Sequence, residues 1–419
     1  PLYRKVSNKW GSKGWPKAVK MAPLRMTTDL TMKRITLLLP LLLIFTWSSL
    51  SIAAPRIIPK APGVAAKGYI LMDFDSGHII TEGNSSERLA PASLTKIMTS
   101  YAIFSELKQG HITLEDEVTI SEKAWRTGGS KMFIEVGKKI SVDNLLKGMV
   151  ISSGNDASVA LAEHIGGAEE TFAELMNQYA EILGMKNSHF KNSTGMPAEE
   201  HYTTAKDMAI LAQALIRDFP EEYKLYSQKE FVYGKELKSG KPIKQKNRNK
   251  LLWRDESVDG LKTGYTEAAG YCLVASAERE GMRLISAVLN TRSTEARAQE
   301  TQKLLNFGFR FYETQIIATP EQALATPTLW KGAQETLAIG VQQPLAITLG
   351  RNLFDEVKSE IQLDKPLLEA PVTAGTTLGT VRFTVEGKPV AEAPLVALES
   401  VESGSLWNNL VDSAKLWFQ

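Results

Sequence analysis

Hydrophobic and polar positions change period several times along the chain, and each change marks an element. GYILMDFDSGHIITEG (68–83) alternates weakly about Asp75-Ser76-Gly77 and predicts a β-hairpin. From Ser93 to Lys108 the spacing becomes helical, and Gly110 supplies a stop signal. Ser141 is placed to cap a helix in VDNLLKGMVIS, and three more helical runs follow within residues 155–219. GYCLVASAEREGMRLISAVLN (270–290) reads as two apolar strands around Arg279-Glu280-Gly281, a second hairpin. STEARAQETQKLLNFGFRFYE (293–313) returns to a helical period. Strand, many helices, strands, then helix predicts one α+β domain whose early and late strands share an antiparallel sheet.

After about residue 314 short β-like runs (TLAIGV, PLAITLG, LGTVRFTVEG, APLVALES) sit between Gly, Pro and Thr. They predict a small all-β domain over residues 315–402. The last segment, residues 403–419, places Leu406, Trp407, Leu410, Val411, Ala414, Trp417 and Phe418 on one helical face. Two tryptophans and a phenylalanine there suit a membrane interface, against the alternative of a helix docked on its own domain. Near the start, Met32 is followed by Lys33, Arg34, an apolar run and small residues ending at Ala53 and Ala54. That order predicts a secretory signal over about residues 32–54, cleaved after Ala53 or Ala54. Residues 1–31 show no such logic and are set apart as upstream sequence.

Charge changes the picture once the leader is removed. The chain has 49 Lys+Arg and 47 Asp+Glu; residues 1–54 hold nine of the former and one of the latter, leaving 40 against 46, a net −6. A mildly acidic mature chain argues against nucleic acid as a partner. The one basic cluster, KPIKQKNRNK (241–250), is expected to be a solvated loop. The single cysteine, Cys272, lies in an apolar strand and reads as a buried small hydrophobe. The five histidines, His78, His111, His164, His189 and His201, show no metal spacing, and no phosphate-binding glycine loop or Gly-x-Ser-x-Gly elbow occurs. No metal and no cofactor are implied.

The chemistry rests on serine and lysine. Ser-x-x-Lys occurs three times, at Ser93/Lys96, Ser105/Lys108 and Ser188/Lys191. On the order of one match is expected by chance in such a chain, so the motif alone decides little. A serine hydroxyl needs a base, and lysine serves when burial or a neighbouring cation depresses its pKa. Ser93 follows Pro91-Ala92 at the start of its helix, where free N–H groups and the positive dipole end favour a developing oxyanion. Ser105 lies in the last turns and Ser188 in a polar loop, so geometry favours Ser93.

Two further motifs bear on the choice. Ser153-Gly154-Asn155 is the only Ser-x-Asn in the chain and reads as a tight turn between helices. Its hydroxyl and amide can face Ser93 and relay a proton; a plain turn and helix cap is the alternative. Lys-[Ser/Thr]-Gly occurs at 238–240, in a lysine-rich loop, and at Lys262-Thr263-Gly264, before a strong strand. On an edge strand Lys262 and Thr263 can bind a carboxylate, Gly264 admits substrate backbone, and the Tyr265 N–H can complete an oxyanion hole.

In this order the three motifs resemble the penicillin-recognising serine enzymes. PASLTKIMTSY, SGNDASVALAE, VDGLKTGYTEAAGYCLVASA and KLLNFGFRFYE resemble, more narrowly, the low-molecular-mass penicillin-binding proteins that are D-alanyl-D-alanine carboxypeptidases. The likeness covers about residues 63–314, the expected catalytic domain of a β-lactamase/transpeptidase-like α+β fold. It implies that Ser93 is acylated by the penultimate D-alanine of a peptidoglycan stem peptide and that Lys96 is the base. It further implies that Ser153 and Asn155 assist proton transfer and hold the substrate amide, while Lys262 and Thr263 bind the terminal carboxylate. Arg297 matches an arginine supporting that carboxylate, with a surface helix charge as its alternative. β-Lactams would be covalent inhibitors, and the location would be the periplasm, with peripheral attachment to the inner membrane. Some relatives carry histidine where this chain has Tyr265.

Two other readings compete. A β-lactamase shares the scaffold, but its deacylating Glu-x-x-x-Asn loop has no counterpart within residues 165–205. A catalytically inactive, membrane-tethered scaffold is the second, and intact motifs argue against it.

Overall fold

The computed structural model describes residues 58–235 and 240–417. The leader, its cleavage site, Lys238, Ser239 and Phe418 lie outside the described residues.

The first hairpin forms as its alternation predicts, from β1 (Gly68–Asp73) and β2 (Ile79–Gly83). A short 3-10 turn, Ala92–Leu94, leads into α1 (Thr95–Gln109), which ends on a left-handed Gly110. Then come α2 (Val142–Ile151), capped by the Ser141 hydroxyl, α3 (Asn155–Gly166), α4 (Glu169–Ile182) and α5 (Ala205–Asp218). A two-stranded hairpin, β3 (Glu230–Lys235) and β4 (Pro242–Lys246), precedes β5 (Val258–Thr266), β6 (Gly270–Arg279), β7 (Met282–Thr291) and α6 (Thr294–Phe311).

The main sheet runs β2-β1-β7-β6-β5 with every neighbouring pair antiparallel. The early strand β1 therefore lies beside the late strand β7, and β5 is an edge. Both faces are covered, which explains why its strands read as nearly continuous apolar runs. Ile70, Val274, Ile285 and Ala287 point to a core shared with α1 to α5. Their alternates Leu71, Leu273, Leu284 and Val288 point to a second core under α6.

From Tyr312 to the last helix, the regular structure of the described chain is mainly strand, joined by loops. β8 (Tyr312–Ala318) pairs with β9 (Leu345–Gly350). β10 (Lys358–Leu363), β11 (Thr377–Val385) and β12 (Lys388–Ala397) form an antiparallel sheet with the short strand Ile339–Gly340. Its core is separate, centred on Leu337, Val381 and Leu395. The β10 strand, KSEIQL, carries no apolar run because its residues are exposed. Hydroxyls tie this region to the first hairpin. Thr314 donates to the buried Asp73 carboxylate at 2.7 Å, and Ser76 meets Thr348 at 2.6 Å.

The last helix, α7 (Leu406–Trp417), turns its polar side inward, where the Asp412 carboxylate accepts from the Lys331 N–H at 2.9 Å. Its apolar side faces out: Leu406, Trp407, Leu410 and Trp417 are 84, 74, 65 and 85% exposed. No helix of the described residues is long and apolar enough to cross a membrane.

Candidate active site

Three segments far apart in sequence converge at one cleft of about 680 Å³, lined by Ser93, Ser153, Asn155, Thr263, Gly264, Tyr265 and Arg297. Lys96 and Lys262 are buried beneath it. Ser105 bonds instead to the Tyr179 hydroxyl, and Ser188 to the Asp207 carboxylate, both away from this cleft.

Ser93 sits in the 3-10 turn at the head of α1, and one turn on, Lys96 places Nζ 3.3 Å from Ser93 Oγ. The same nitrogen donates to Asn155 Oδ1 at 2.7 Å and to the Thr194 carbonyl at 2.6 Å. Burial, reinforced by the nearby Arg248 charge, lowers the Lys96 pKa to about 7, while Asp156 and Glu169 pull weakly the other way. A neutral amine has two N–H bonds and one lone pair. The two short acceptors take both hydrogens, so the lone pair faces the Ser93 hydroxyl.

The Ser-x-Asn turn lies between α2 and α3. Ser153 adopts φ +62°, an unusual conformation for a non-glycine residue and one that aims its hydroxyl into the cleft. Lys262 Nζ donates to that hydroxyl at 2.8 Å. The Asn155 amide nitrogen donates to the Gly128 carbonyl at 2.7 Å, which fixes its oxygen toward Lys96. Burial drives the Lys262 pKa well below its usual value, and repulsion from Lys96, Arg248 and Arg297 adds to the shift.

The edge strand β5 runs beside the Ser93 turn. A side chain on Gly264 would meet the Pro91 carbonyl at 3.0 Å and Ala92 Cβ at 3.2 Å, so glycine is what lets the two segments touch. The Tyr265 backbone therefore lies next to the helix head, while its ring is half exposed and stacks on Tyr271 at 4.3 Å. Arg297 is not a surface charge. It is 6% exposed in the first turns of α6, donates to the Gly264 carbonyl at 3.0 Å, and has its pKa lowered to about 10, chiefly by burial.

Several supports carry no motif. Asn192 Oδ1 accepts from the Thr194 and Gly195 N–H groups at 3.2 and 2.8 Å, an Asx turn that presents the Thr194 carbonyl to Lys96. The Glu169 carboxylate holds the Ser193 N–H at 3.0 Å. Gly195, at φ +85°, packs so tightly that a Cβ would fall 1.7 Å from the Ala92 carbonyl oxygen. On the opposite wall the buried Asp156 carboxylate accepts from the N–H groups of Met132 and Phe133 at 2.8 and 2.9 Å. The sequence signal for the Asx turn was the Asn-Ser-Thr-Gly run; Asp156 had none beyond its adjacency to Asn155.

The basic cluster 241–250 corrects an expectation. It is not a solvated loop: Pro242–Lys246 is strand β4, and Lys246, Asn247, Arg248 and Lys250 line the cleft. Gln245 anchors it, accepting from Ser152 Oγ at 2.6 Å and donating to the Lys131 carbonyl at 2.8 Å. Local charge density cannot reveal such long-range anchoring. Among the described residues no group of His, Cys, Asp or Glu is arranged to hold a metal.

The family model described as D-alanyl-D-alanine carboxypeptidase matches residues 56–293, and that described as penicillin-binding protein 5, C-terminal domain, matches residues 312–403. The D-alanyl-D-alanine carboxypeptidase DacC of Escherichia coli is 41% identical over 382 residues, 90% of this chain and 94% of its own. DacF of Bacillus subtilis is 39% identical over 340 residues, 80% and 86% of the two chains. Among solved structures, penicillin binding protein 5 from Haemophilus influenzae superposes with a TM-score of 0.77 at 41% identity, covering 83% of this chain and all of that one.

Proposed function

The chain belongs to the D-alanyl-D-alanine carboxypeptidase family of serine peptidases, and from that premise we propose that it removes the terminal D-alanine of peptidoglycan stem peptides through an acyl-enzyme on Ser93. The observation that carries this is the Lys96 amine, buried, with a pKa lowered to about 7 and 3.3 Å from the Ser93 hydroxyl.

Lys96 Nζ takes the Ser93 proton as Oγ attacks the carbonyl carbon of the penultimate D-alanine. The backbone N–H groups of Ser93 and Tyr265 hold the oxyanion. The Thr263 hydroxyl donates to the terminal carboxylate, Arg297 and the ammonium form of Lys262, which that carboxylate favours, supply the positive charge beside it, and Asn155 orients the substrate amide. As the tetrahedral intermediate collapses, the C–N bond breaks and the proton that Lys96 took from Ser93 passes to the leaving amine by way of the Ser153 hydroxyl, which Lys262 holds in place, so Lys96 is neutral again. Water then attacks the ester carbonyl, Lys96 accepts its proton and hands it to Ser93 Oγ as the ester C–O bond breaks, and Ser93 is regenerated. A β-lactam presents an acylating carbonyl and a carboxylate in similar relation, so it too should esterify Ser93. A structural neighbour, penicillin-binding protein D2 from Listeria monocytogenes, is described in an ampicillin-bound form.

The expected working place is the periplasmic face of the cytoplasmic membrane. The leader at 32–54 and the outward apolar side of α7 support that reading. The deciding experiment is incubation with a D-Ala-D-Ala pentapeptide and, separately, a fluorescent penicillin. Wild type releases D-alanine and is labelled; Ser93→Ala does neither. Persistent labelling of Ser93→Ala would identify another nucleophile.

A further inference from the structure

The segment Gln245 to Lys250, read above as one wall of the cleft, has a two-residue rhythm. Gln245, Asn247 and Asn249 are its anchors. Gln245 is bonded as described, Asn247 Nδ2 donates to the Gln228 carbonyl at 3.1 Å, and Asn249 Nδ2 donates to the Gly260 carbonyl at 2.9 Å. Their alternates, Lys246, Arg248 and Lys250, all line the cleft. The segment is thus a comb whose polar teeth are fixed in the protein, Asn247 also reaching the cleft wall, and whose cationic teeth face the ligand space.

No Asp or Glu is among the residues lining that cleft. Lys250 is engaged by Glu295 at 3.4 Å, and Arg297 by the Gly264 carbonyl. Among the described residues neither the Lys246 ammonium nor the Arg248 guanidinium has a hydrogen-bond or ion-pair partner. The Arg248 charge is felt by Lys96, Lys262 and Arg297, so it stands close to the reacting centre. The terminal carboxylate of a substrate neutralises one region of positive charge, that of Lys262 and Arg297. The comb is a second region, and it remains uncompensated when the first is filled.

We propose that Lys246 and Arg248 form a subsite for a second carboxylate, carried by the substrate on residues amino-terminal to the scissile bond. This rests on the carboxypeptidase reading and names the substrate class more narrowly: a peptide ending in D-Ala-D-Ala with an acidic group upstream. Partly exposed cations act mainly through steering and modest pairing, so the preference is one of kcat/KM and weakens with salt.

The test compares two synthetic peptides ending in D-Ala-D-Ala that differ only in a side-chain carboxylate or its carboxamide on the preceding residue. D-Alanine release is measured at low and high ionic strength. Wild type prefers the carboxylate peptide by about tenfold at low salt, and the preference shrinks as salt rises. In Lys246→Ala the ratio of the two kcat/KM values falls by about threefold or more, and Lys246→Glu lowers it further. Lys244→Ala, on the same strand but paired with Glu230 at 2.5 Å, keeps the wild-type ratio. Equal rates for both peptides in wild type, or an unchanged ratio in Lys246→Glu, overturn the subsite. Release from neither peptide is the different failure, that of the carboxypeptidase reading, and removes the inference with it.

Discussion

Lys262 donates to the Ser153 hydroxyl at 2.8 Å, linking the cleft's edge strand to the turn between two helices. In the proposed mechanism the pair joins carboxylate recognition to proton delivery, so loss of the hydroxyl should be felt in chemistry more than in folding. Ser153→Ala is expected to slow acylation by a penicillin about a hundredfold. Its thermal midpoint should stay within a few degrees of wild type, about 1 kcal/mol or less. Stopped-flow acylation and a melting curve check the two halves.

The Lys96 pKa, lowered to about 7, sets the pH profile of acylation. Only the neutral amine is a base, so the rate should rise with pH through about 7 and level above it, rather than climb toward 10. The stability sign follows from the same shift. Between the folded value near 7 and the ordinary value of 10.5, the unfolded chain binds more protons than the folded one, so stability rises with pH across that window. A rate that levels only near pH 10 would show that burial has not depressed this amine.

Gly195 lets the Asx turn lie against the carbonyl of Ala92, next to the nucleophile. Gly195→Ala must push that turn away and also strains φ +85°. Acylation should fall by about a hundredfold or more, because a shift on the order of 1 Å spoils the attack geometry. Wild-type acylation kinetics in this variant would mean that the 192–196 turn moves freely.

The Asp156 carboxylate organises the wall that carries Gly129 and Ser130. Asp156→Ala leaves buried N–H groups unpaired and should cost about 3 kcal/mol in urea unfolding. KM for the pentapeptide should rise more than kcat falls, since the wall shapes binding rather than the reacting atoms.

The α7 face offers Leu406, Trp407, Leu410 and Trp417 to the surroundings. The double substitution Trp407→Ser and Leu410→Ser should cut partitioning onto phospholipid vesicles by at least about tenfold, with D-alanine release in solution retained. Co-sedimentation measures it, and equal partitioning of variant and wild type would remove the helix as an anchor.

Much of this architecture was legible because its signals are local. Ser141, Gly110 and the two hairpin turns punctuate elements whose periodicity is strong, and β6 announces itself by the apolar run that follows Lys-Thr-Gly. The serine, lysine and asparagine of the cleft stood out because three weak motifs occur in one order. Other features depend on distant contacts. Arg248 looked like one charge among many until Gln245, Asn247 and Asn249 were seen to be fixed elsewhere. Thr194 and Gly195 act through backbone, which no side-chain motif encodes, and the Arg297 alternatives could be separated only by burial.

The crowding of Lys96, Lys262, Arg248 and Arg297 has a consequence for the resting protein. Burying two amines costs their hydration, and charging both would set them against each other, so readiness for reaction is held as a local instability. A ligand's carboxylate discharges that cluster. The enzyme is therefore expected to be thermally firmer when occupied than when empty, and anions that fit the cleft will protect it from heat even where no bond is made or broken.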